Sequence, residues 1–463
     1  MLYISTRANA PALGFRDAIL AGLARDGGLY LPQSWPVIAS GKIRDFATMP
    51  YAEIAKEVLA PFTGDEIATA DLSKMIDEAY ATFRHPAVTP LVQTGPADWI
   101  LELFHGPTLA FKDVAMQLLA RLMDHVLAER GERATIVGAT SGDTGGAAIE
   151  AFKGRSNTDI FILFPKGRVS PVQQRQMTTS HEANVHAIAI EGNFDDCQAL
   201  VKAMFNDHAF RDKVKLSGVN SINWGRIMAQ IVYYFAAASR LGAPEREVAF
   251  SVPTGNFGDI FAGYAAKRMG LPIARLVIAT NRNDILARTL ATGRYEVTGV
   301  SATSSPSMDI QVSSNFERLL FEAAGRDGAS VSRLMAGLSQ SGAFTLPADV
   351  HSKIAAEFVA GAASEAETAA VMAAMLKDAG YRADPHTAVG VHVAARHRGA
   401  EPMITLATAH PAKFPDAVEA ATGERPQLPV WCGDLMSRKE RFDVLPNDLA
   451  AVEAHVSAKS RQS

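Results

Sequence analysis

Cysteine is scarce in this chain of 463 residues: Cys197 and Cys432 are its only two, far apart in sequence. That excludes a disulfide framework and fits a reducing cytosol. Excess charge of one sign is also lacking. The formal net charge is -4, which offers no footprint for nucleic acid or an anionic membrane. Local clusters such as Arg438-Lys439-Glu440-Arg441 mix both signs and read as solvated faces. Long apolar runs are missing as well. The most apolar segment, Ile227 to Leu241, is interrupted by Gln230, Tyr233, Tyr234 and Arg240, so it reads as a core helix. The opening residues Met1 to Arg7 have no basic head followed by a sustained apolar stretch, so no signal peptide is expected. The expected setting is the cytoplasm. No metal is expected either: after His181-Glu182 the next histidine is His186, one position late for the helix-face pair of a zinc protease.

What is present has the length and apolar content for large cores and two or three domains. Residues 1–90 read as a mostly helical N-terminal domain. Its amphipathic stretches are Phe15–Arg25, Tyr51–Leu59 and Leu72–Phe83, separated by Pro32, Pro36, Pro61, Pro86 and Pro90. The pattern then changes to strand–loop–helix units. Candidate strands are Ala134–Gly138, Asp159–Phe164, Val185–Ile190, Val248–Val252, Arg275–Ala279 and Met403–Ala407. They are short and nearly wholly apolar, as parallel strands covered on both faces should be. The class expected is therefore α/β, with open, mostly parallel sheets in two lobes. Residues 91–425 form this catalytic region, its smaller lobe about 134–225, and 426–463 form a C-terminal extension. Gly299–Pro306 reads as a loop. The Ala- and Glu-rich stretch Val350–Tyr381 reads as a helical cover, and the tail from Ser457 as frayed.

Chemistry first shows at His105-Gly106-Pro107-Thr108-Leu109-Ala110-Phe111-Lys112-Asp113. The apolar run Trp99–Phe104 reads as a buried strand, broken by His-Gly-Pro, with a helix starting near Thr108. That puts Lys112 in the first turns, beside Phe111 and in the positive end of the helix dipole, where the neutral amine is favoured. A neutral amine is what a Schiff base with pyridoxal phosphate needs. On its own the segment also reads as a solvated lysine at a helix start.

Two glycine-rich loops add to it. Strand 134–138 leads into Ala139-Thr140-Ser141-Gly142-Asp143-Thr144-Gly145-Gly146, and strand 248–252 into Pro253-Thr254-Gly255-Asn256-Phe257-Gly258-Asp259, each followed by a helix, from Ala147 and Ile260. Glycines at the carboxyl end of a strand free backbone N–H groups at a helix start, a geometry that binds phosphate or carboxylate. The named nucleotide motifs fail: neither loop is a P-loop, a Gly-x-Gly-x-x-Gly fingerprint or a Gly-x-Ser-x-Gly elbow. Either loop alone reads equally as a tight turn. Two of them with a lysine helix point to a ligand site.

These segments resemble threonine synthase in its longer microbial form, a pyridoxal-phosphate enzyme of the tryptophan synthase β-like fold type. The block 105–117, the Ser-Gly-Asp-Thr-Gly loop and the Gly-Asn-Phe-Gly-Asp loop carry the likeness. So do Tyr3–Arg7, Gly22–Tyr30, Asn220–Arg226, Asp384–Ala388 and Thr408–Phe414, in the same order along the chain. The resemblance implies conversion of O-phospho-L-homoserine and water to L-threonine and phosphate, by γ-elimination followed by β-addition of water. It makes Lys112 the Schiff-base lysine and the general base, no second lysine or histidine standing out. It gives Gly255, Asn256, Phe257, Gly258 and Asp259 to the cofactor phosphate and Thr408 to the pyridine nitrogen. Thr140, Ser141, Gly142 and Thr144 would receive the substrate carboxylate, and Ser221, Asn223 and Arg226 its phosphate. Asp143 stands near the cofactor where the wider fold type more often has an asparagine. An ionised Asp143 cannot donate a hydrogen bond, so it must be protonated, turned away or bridged by water. His386, His410 and Cys197 read as buried structural groups, and Ser313–Arg318 as a family segment with no assigned chemistry. The partner expected is the small-molecule substrate alone, with the chain a monomer or homodimer.

Three other readings stand beside this one: a serine or threonine dehydratase, a scaffold that has lost turnover, and a nucleotide-binding dehydrogenase. The Asn223/Arg226 pair argues against the first, intact Lys112, Gly255 and Thr408 against the second, and the failed glycine fingerprint against the third.

Overall fold

In the computed structural model, which describes residues 1–461, the chain is built on two open sheets. The larger has the strand order Phe358–Ala362, Ile273–Thr280, Val248–Pro253, Met403–Ala407, Asp98–Glu102, Leu91–Gln93. Its neighbours are parallel except the last pair. The smaller sheet is parallel throughout, in the order Asp443–Pro446, Val185–Glu191, Thr158–Pro165, Ala134–Ala139, Leu216–Ser217. Thr158–Pro165 and Val248–Pro253 are buried at every position, because helices cover both faces of each sheet. The two-sheet α/β class expected from the apolar runs is the one observed. Among the described residues, no helix is long and apolar enough to cross a membrane.

Two helices join the lobes. Lys112–Arg130 is buried without a break from Lys112 to Ala120, and Trp224–Arg240 from Trp224 to Ser239. Helices apolar on every side belong inside a core. One continuous core runs through them from the N-terminal helices Tyr51–Thr63 and Thr69–Tyr80 into both sheets. Trp224 packs on Tyr3, Trp35 and Phe62 at ring-centroid distances of 6.0, 6.0 and 5.6 Å. Truncating such a side chain costs roughly 3–5 kcal/mol. The N-terminal segment is thereby fastened to the helix that carries Arg226.

Several local expectations are corrected. The strand expected over Trp99–Phe104 ends at Glu102. The helix expected from Thr108 starts at Lys112, because Leu109 has φ +62°, a left-handed turn no helix tolerates. Residues 108–111 pair instead with 408–410, through Phe111 N to Thr408 O (2.8 Å) and His410 N to Leu109 O (3.0 Å). The other two helices start at Asp143 and Gly258 rather than at Ala147 and Ile260. Within the stretch read as a helical cover, Phe358–Ala362 is an edge strand beside Ile273–Thr280. Pairing with the sheet overrides its alanine and glycine content. The tail is ordered further than expected: Leu449–Lys459 is helical, and Arg461 reaches Asp159 through its amide at 2.8 Å. Gln462 and Ser463, also read as frayed, lie outside the described residues.

The strands Asp98–Glu102, Ala134–Ala139, Leu216–Ser217, Val248–Pro253 and Met403–Ala407 all end, at their carboxyl edges, in the loops that carry the candidate site residues. That edge is where open α/β sheets collect ligands.

Candidate active site

Lys112 opens its helix with its side chain nearly out of solvent. Burial is the first cause that lowers the basicity of its amine, and the charges of Lys413 and Arg226 act in the same direction. Asp143 opposes them, with Oδ2 at 3.5 Å from Nζ. The Phe111 ring, 4.7 Å from Nζ, attracts a cation, contrary to the reading that it disfavours one. Burial outweighs it.

Asp143 is the hub of the site. Its Oδ1 accepts from Lys413 Nζ at 2.7 Å and from Gln173 Nε2 at 2.9 Å. Its Oδ2 faces Lys112 and accepts from Ser307 Oγ at 3.4 Å. Burial alone raises a carboxyl pKa, but Lys413 and Lys112 together hold this one far below the usual carboxylate range. Asp143 is thus set between two lysines as an ion pair, an arrangement that the three alternatives read from the sequence did not include. Lys413, fully buried, also donates to Thr108 O at 2.7 Å. No second lysine stood out in the sequence, yet the fold sets Lys413 on the same carboxylate as Lys112. Its signal was a lysine inside the segment Thr408–Phe414, which a sequence does not distinguish from a surface lysine.

The loop before Asp143 is shaped from within. The Thr140 hydroxyl accepts from the amides of Gly142 and Gly145, both at 2.9 Å. Gly142 has φ +144°, and a Cβ there would lie 2.3 Å from Gln173 Cδ. Only glycine fits. Ser141 and Thr144 flank this turn at partly exposed positions.

The second loop makes the other cradle. Phe257 holds φ +64°, uncommon for an aromatic residue, with its ring wedged against Phe316 and Phe358 at 5.4 and 5.7 Å. Among the described residues, no acceptor meets the amides of Asn256, Phe257 and Gly258. A Cβ on Gly255 would come within 2.9 Å of Ser307 O. The segment Ser313–Arg318, which had no chemical account, braces this cradle. Asn315 donates through N and Nδ2 to Asn256 O, both at 3.0 Å, and through Nδ2 to Ser221 O at 3.1 Å. Ser313 Oγ donates to Gly255 O at 2.7 Å. Arg318 ties Tyr30 O and Ile222 O to the same segment. Glu317 binds Thr6 at 2.6 Å and Arg7 at 3.0 Å, so the N-terminal segment supports the site from behind. Asp259 accepts from Tyr233 and Tyr234, and burial pushes it up to about 6.

Arg226 is buried, yet no carboxylate pairs with it among the described residues. Its one bond is a long 3.5 Å contact to Val219 O, and its Nε has no partner. Burial pulls its guanidinium down to about 10. An unpaired buried cation is unfavourable unless an anion arrives. Asn223, expected beside it as a ligand, is spent differently. Its Nδ2 donates to Ile19 O (2.8 Å) and its Oδ1 accepts from Gly225 N (3.0 Å), capping the Arg226 helix.

His386 is buried as expected: Nδ1 lies 2.7 Å from Asp384 Oδ2, and Nε2 accepts from Ser307 N at 3.2 Å. Burial lowers His410 to about 4 and raises Cys197 to about 12, so both stay neutral, as structural groups should.

The site combines a buried amine, an anion cradle of backbone amides and an unpaired arginine at the carboxyl edges of parallel strands. Residues 83–404 match the family described as pyridoxal-phosphate dependent enzyme, and the chain is a member of that class. Residues 2–80 match the threonine synthase N terminus and 387–456 the threonine synthase C-terminal model. The chain is 55% identical over 460 residues to threonine synthase of Pseudomonas aeruginosa, covering 99% of this chain and 98% of that one. It superposes on a pyridoxal-phosphate-bound threonine synthase from Brucella melitensis with TM-score 0.97, 67% identity and full coverage of both chains. Yeast threonine synthase follows with TM-score 0.92 and 39% identity, over 99% of this chain and 98% of that one. The chain belongs to the threonine synthase family.

Proposed function

We propose that this chain converts O-phospho-L-homoserine and water to L-threonine and phosphate at the site around Lys112. One observation carries the reading: a buried amine stands between two anion-receiving loops and a buried arginine that lacks its own anion.

The residues fit pyridoxal phosphate. Lys112 offers the amine, the amides of Asn256, Phe257 and Gly258 suit a phosphate, and Thr408 lies just past the strand Met403–Ala407, its carbonyl accepting from Phe111 N. Gly255 and Asp259 complete the cradle, and Asp143 faces the lysine. Pyridoxal phosphate, when bound, supplies an electron sink for the substrate's Cα. The Lys112 amine, its basicity lowered by burial and by its cationic neighbours, takes the Cα proton on Nζ. Thr140, Ser141, Gly142 and Thr144 hold the substrate carboxylate. Arg226, with Ser221 nearby, holds its phosphate and takes up charge as the Cγ–O bond breaks. Asp143 is too weak a base to compete with Lys112, because Lys413 keeps it ionised. Asn223 anchors the helix that aims Arg226. A dehydratase, whose leaving group is hydroxide, has no use for this arginine.

The same proposal keeps the division into residues 1–90, 91–425 and 426–463, a cytoplasmic setting, and a monomer or homodimer.

Equimolar threonine and phosphate from O-phospho-L-homoserine support the reading. Ammonia and a 2-oxo acid in place of threonine would replace it with the dehydratase. Asn315→Ala, which removes the brace under the cradle, is expected to raise the dissociation constant for pyridoxal phosphate about tenfold or more. A dissociation constant unchanged in equilibrium dialysis would show that the cradle holds without Asn315.

A further inference from the structure

Lys413 is the second lysine of the site, and no step of the proposed chemistry passes through its own amine. Its side chain is fully buried. Burying an ammonium costs several kcal/mol unless partners compensate. Here both partners are in the site: Asp143 Oδ1 at 2.7 Å and Thr108 O at 2.7 Å. Thr108 is held in turn by Asp113, whose Oδ2 accepts its amide and Oδ1 its hydroxyl, each at 2.7 Å. Gln176 Nε2 donates to Thr108 O at 2.9 Å. Lys413 is therefore locked, and so is the carboxylate it grips.

The other oxygen of that carboxylate faces Lys112 Nζ. Four charged groups act on Nζ from separate elements: Asp143, Lys413, Arg226 on the Trp224–Arg240 helix, and Asp259 at the start of the Gly258–Arg268 helix. Asp143 pulls a proton onto Nζ. Lys413 stands behind Asp143 and offsets that pull.

We propose that Lys413 is a positioning residue that, through Asp143, fixes and tunes the Lys112 amine. It pins one carboxylate oxygen so that the other meets Nζ, and its charge keeps Asp143 from trapping a proton there. The proposal rests on Lys112 being the cofactor lysine. It predicts opposite effects at the two ends of the pair. Lys413→Met leaves Asp143 unopposed and makes the Lys112 nitrogen more basic. Asp143→Asn leaves Lys413 unopposed and makes it less basic. Lys413→Arg keeps the charge and stays close to wild type.

The test is a pH titration of the visible band of the lysine-bound cofactor in holoenzyme of all four proteins. The midpoint is expected to rise by about one unit in Lys413→Met and to fall by a similar amount in Asp143→Asn. A structural role alone would shift melting temperature but leave the midpoints together. Midpoints that coincide, or that move in the same direction, would overturn the proposal. Absence of a lysine-bound band in the wild type would instead defeat the assignment of Lys112. If a variant does not retain cofactor, acetylation of Lys112 in the cofactor-free chains, followed across pH by peptide mass spectrometry, reads the same order of midpoints. Identical acetylation midpoints would equally overturn the proposal.

Discussion

Lys112→Ala is expected to abolish the visible absorption of bound pyridoxal phosphate and to lower turnover by roughly 10⁴-fold. The substitution removes the one amine that combines the first turn of a buried helix with a neighbouring carboxylate. Lys413 does not replace it, because its ammonium is tied to Asp143 and Thr108 O. Lys112→Arg separates amine chemistry from charge. It keeps a cation beside Asp143, but a guanidinium stays protonated and neither condenses with an aldehyde nor takes a proton. It should be as inactive as the alanine variant. Turnover retained in either protein would mean that another group performs the proton transfer.

The second large effect falls on Arg226. Arg226→Met should raise KM for the phosphorylated substrate about 10²-fold, the scale of losing a bidentate charge-assisted contact. The same substitution should raise the unfolding temperature of the substrate-free protein. In that state Arg226 is a buried cation with an unpartnered Nε, and an apolar side chain of similar length removes that penalty. Opposite signs for stability and affinity mark a group held for a ligand rather than for the fold. An unchanged KM would remove Arg226 from the phosphate site. A lowered unfolding temperature would show that its contact to Val219 O stabilises the folded chain.

Much of the fold could be read from apolar runs. Strands such as Ala134–Ala139 and Met403–Ala407 are bounded by glycine or polar turns and covered on both faces, so their composition alone marks them. Phe358–Ala362 escaped because alanine and glycine carry no strand signal, and its partner lies some eighty residues earlier. The helix start escaped because nothing in the residue type of Leu109 announces a left-handed backbone. In the site, Lys112 and the two glycine loops were legible because local chemistry marks them. Lys413, Gln173 and Asn315 were not, since each matters only through what the fold sets opposite it. The capping role of Asn223 was hidden for a related reason: an asparagine before a helix serves as ligand or cap, and its bonds to Ile19 and Gly225 are set by the fold.

Two lysines share one carboxylate here, and only Lys112 is expected to hold the cofactor. Borohydride reduction of the holoenzyme, followed by peptide mass spectrometry, tests that assignment directly. The pyridoxyl group is expected on the peptide containing Lys112, at close to one per chain, with Lys413 unmodified. Recovery of the label on Lys413, or spread over both lysines, would contradict the account at its centre.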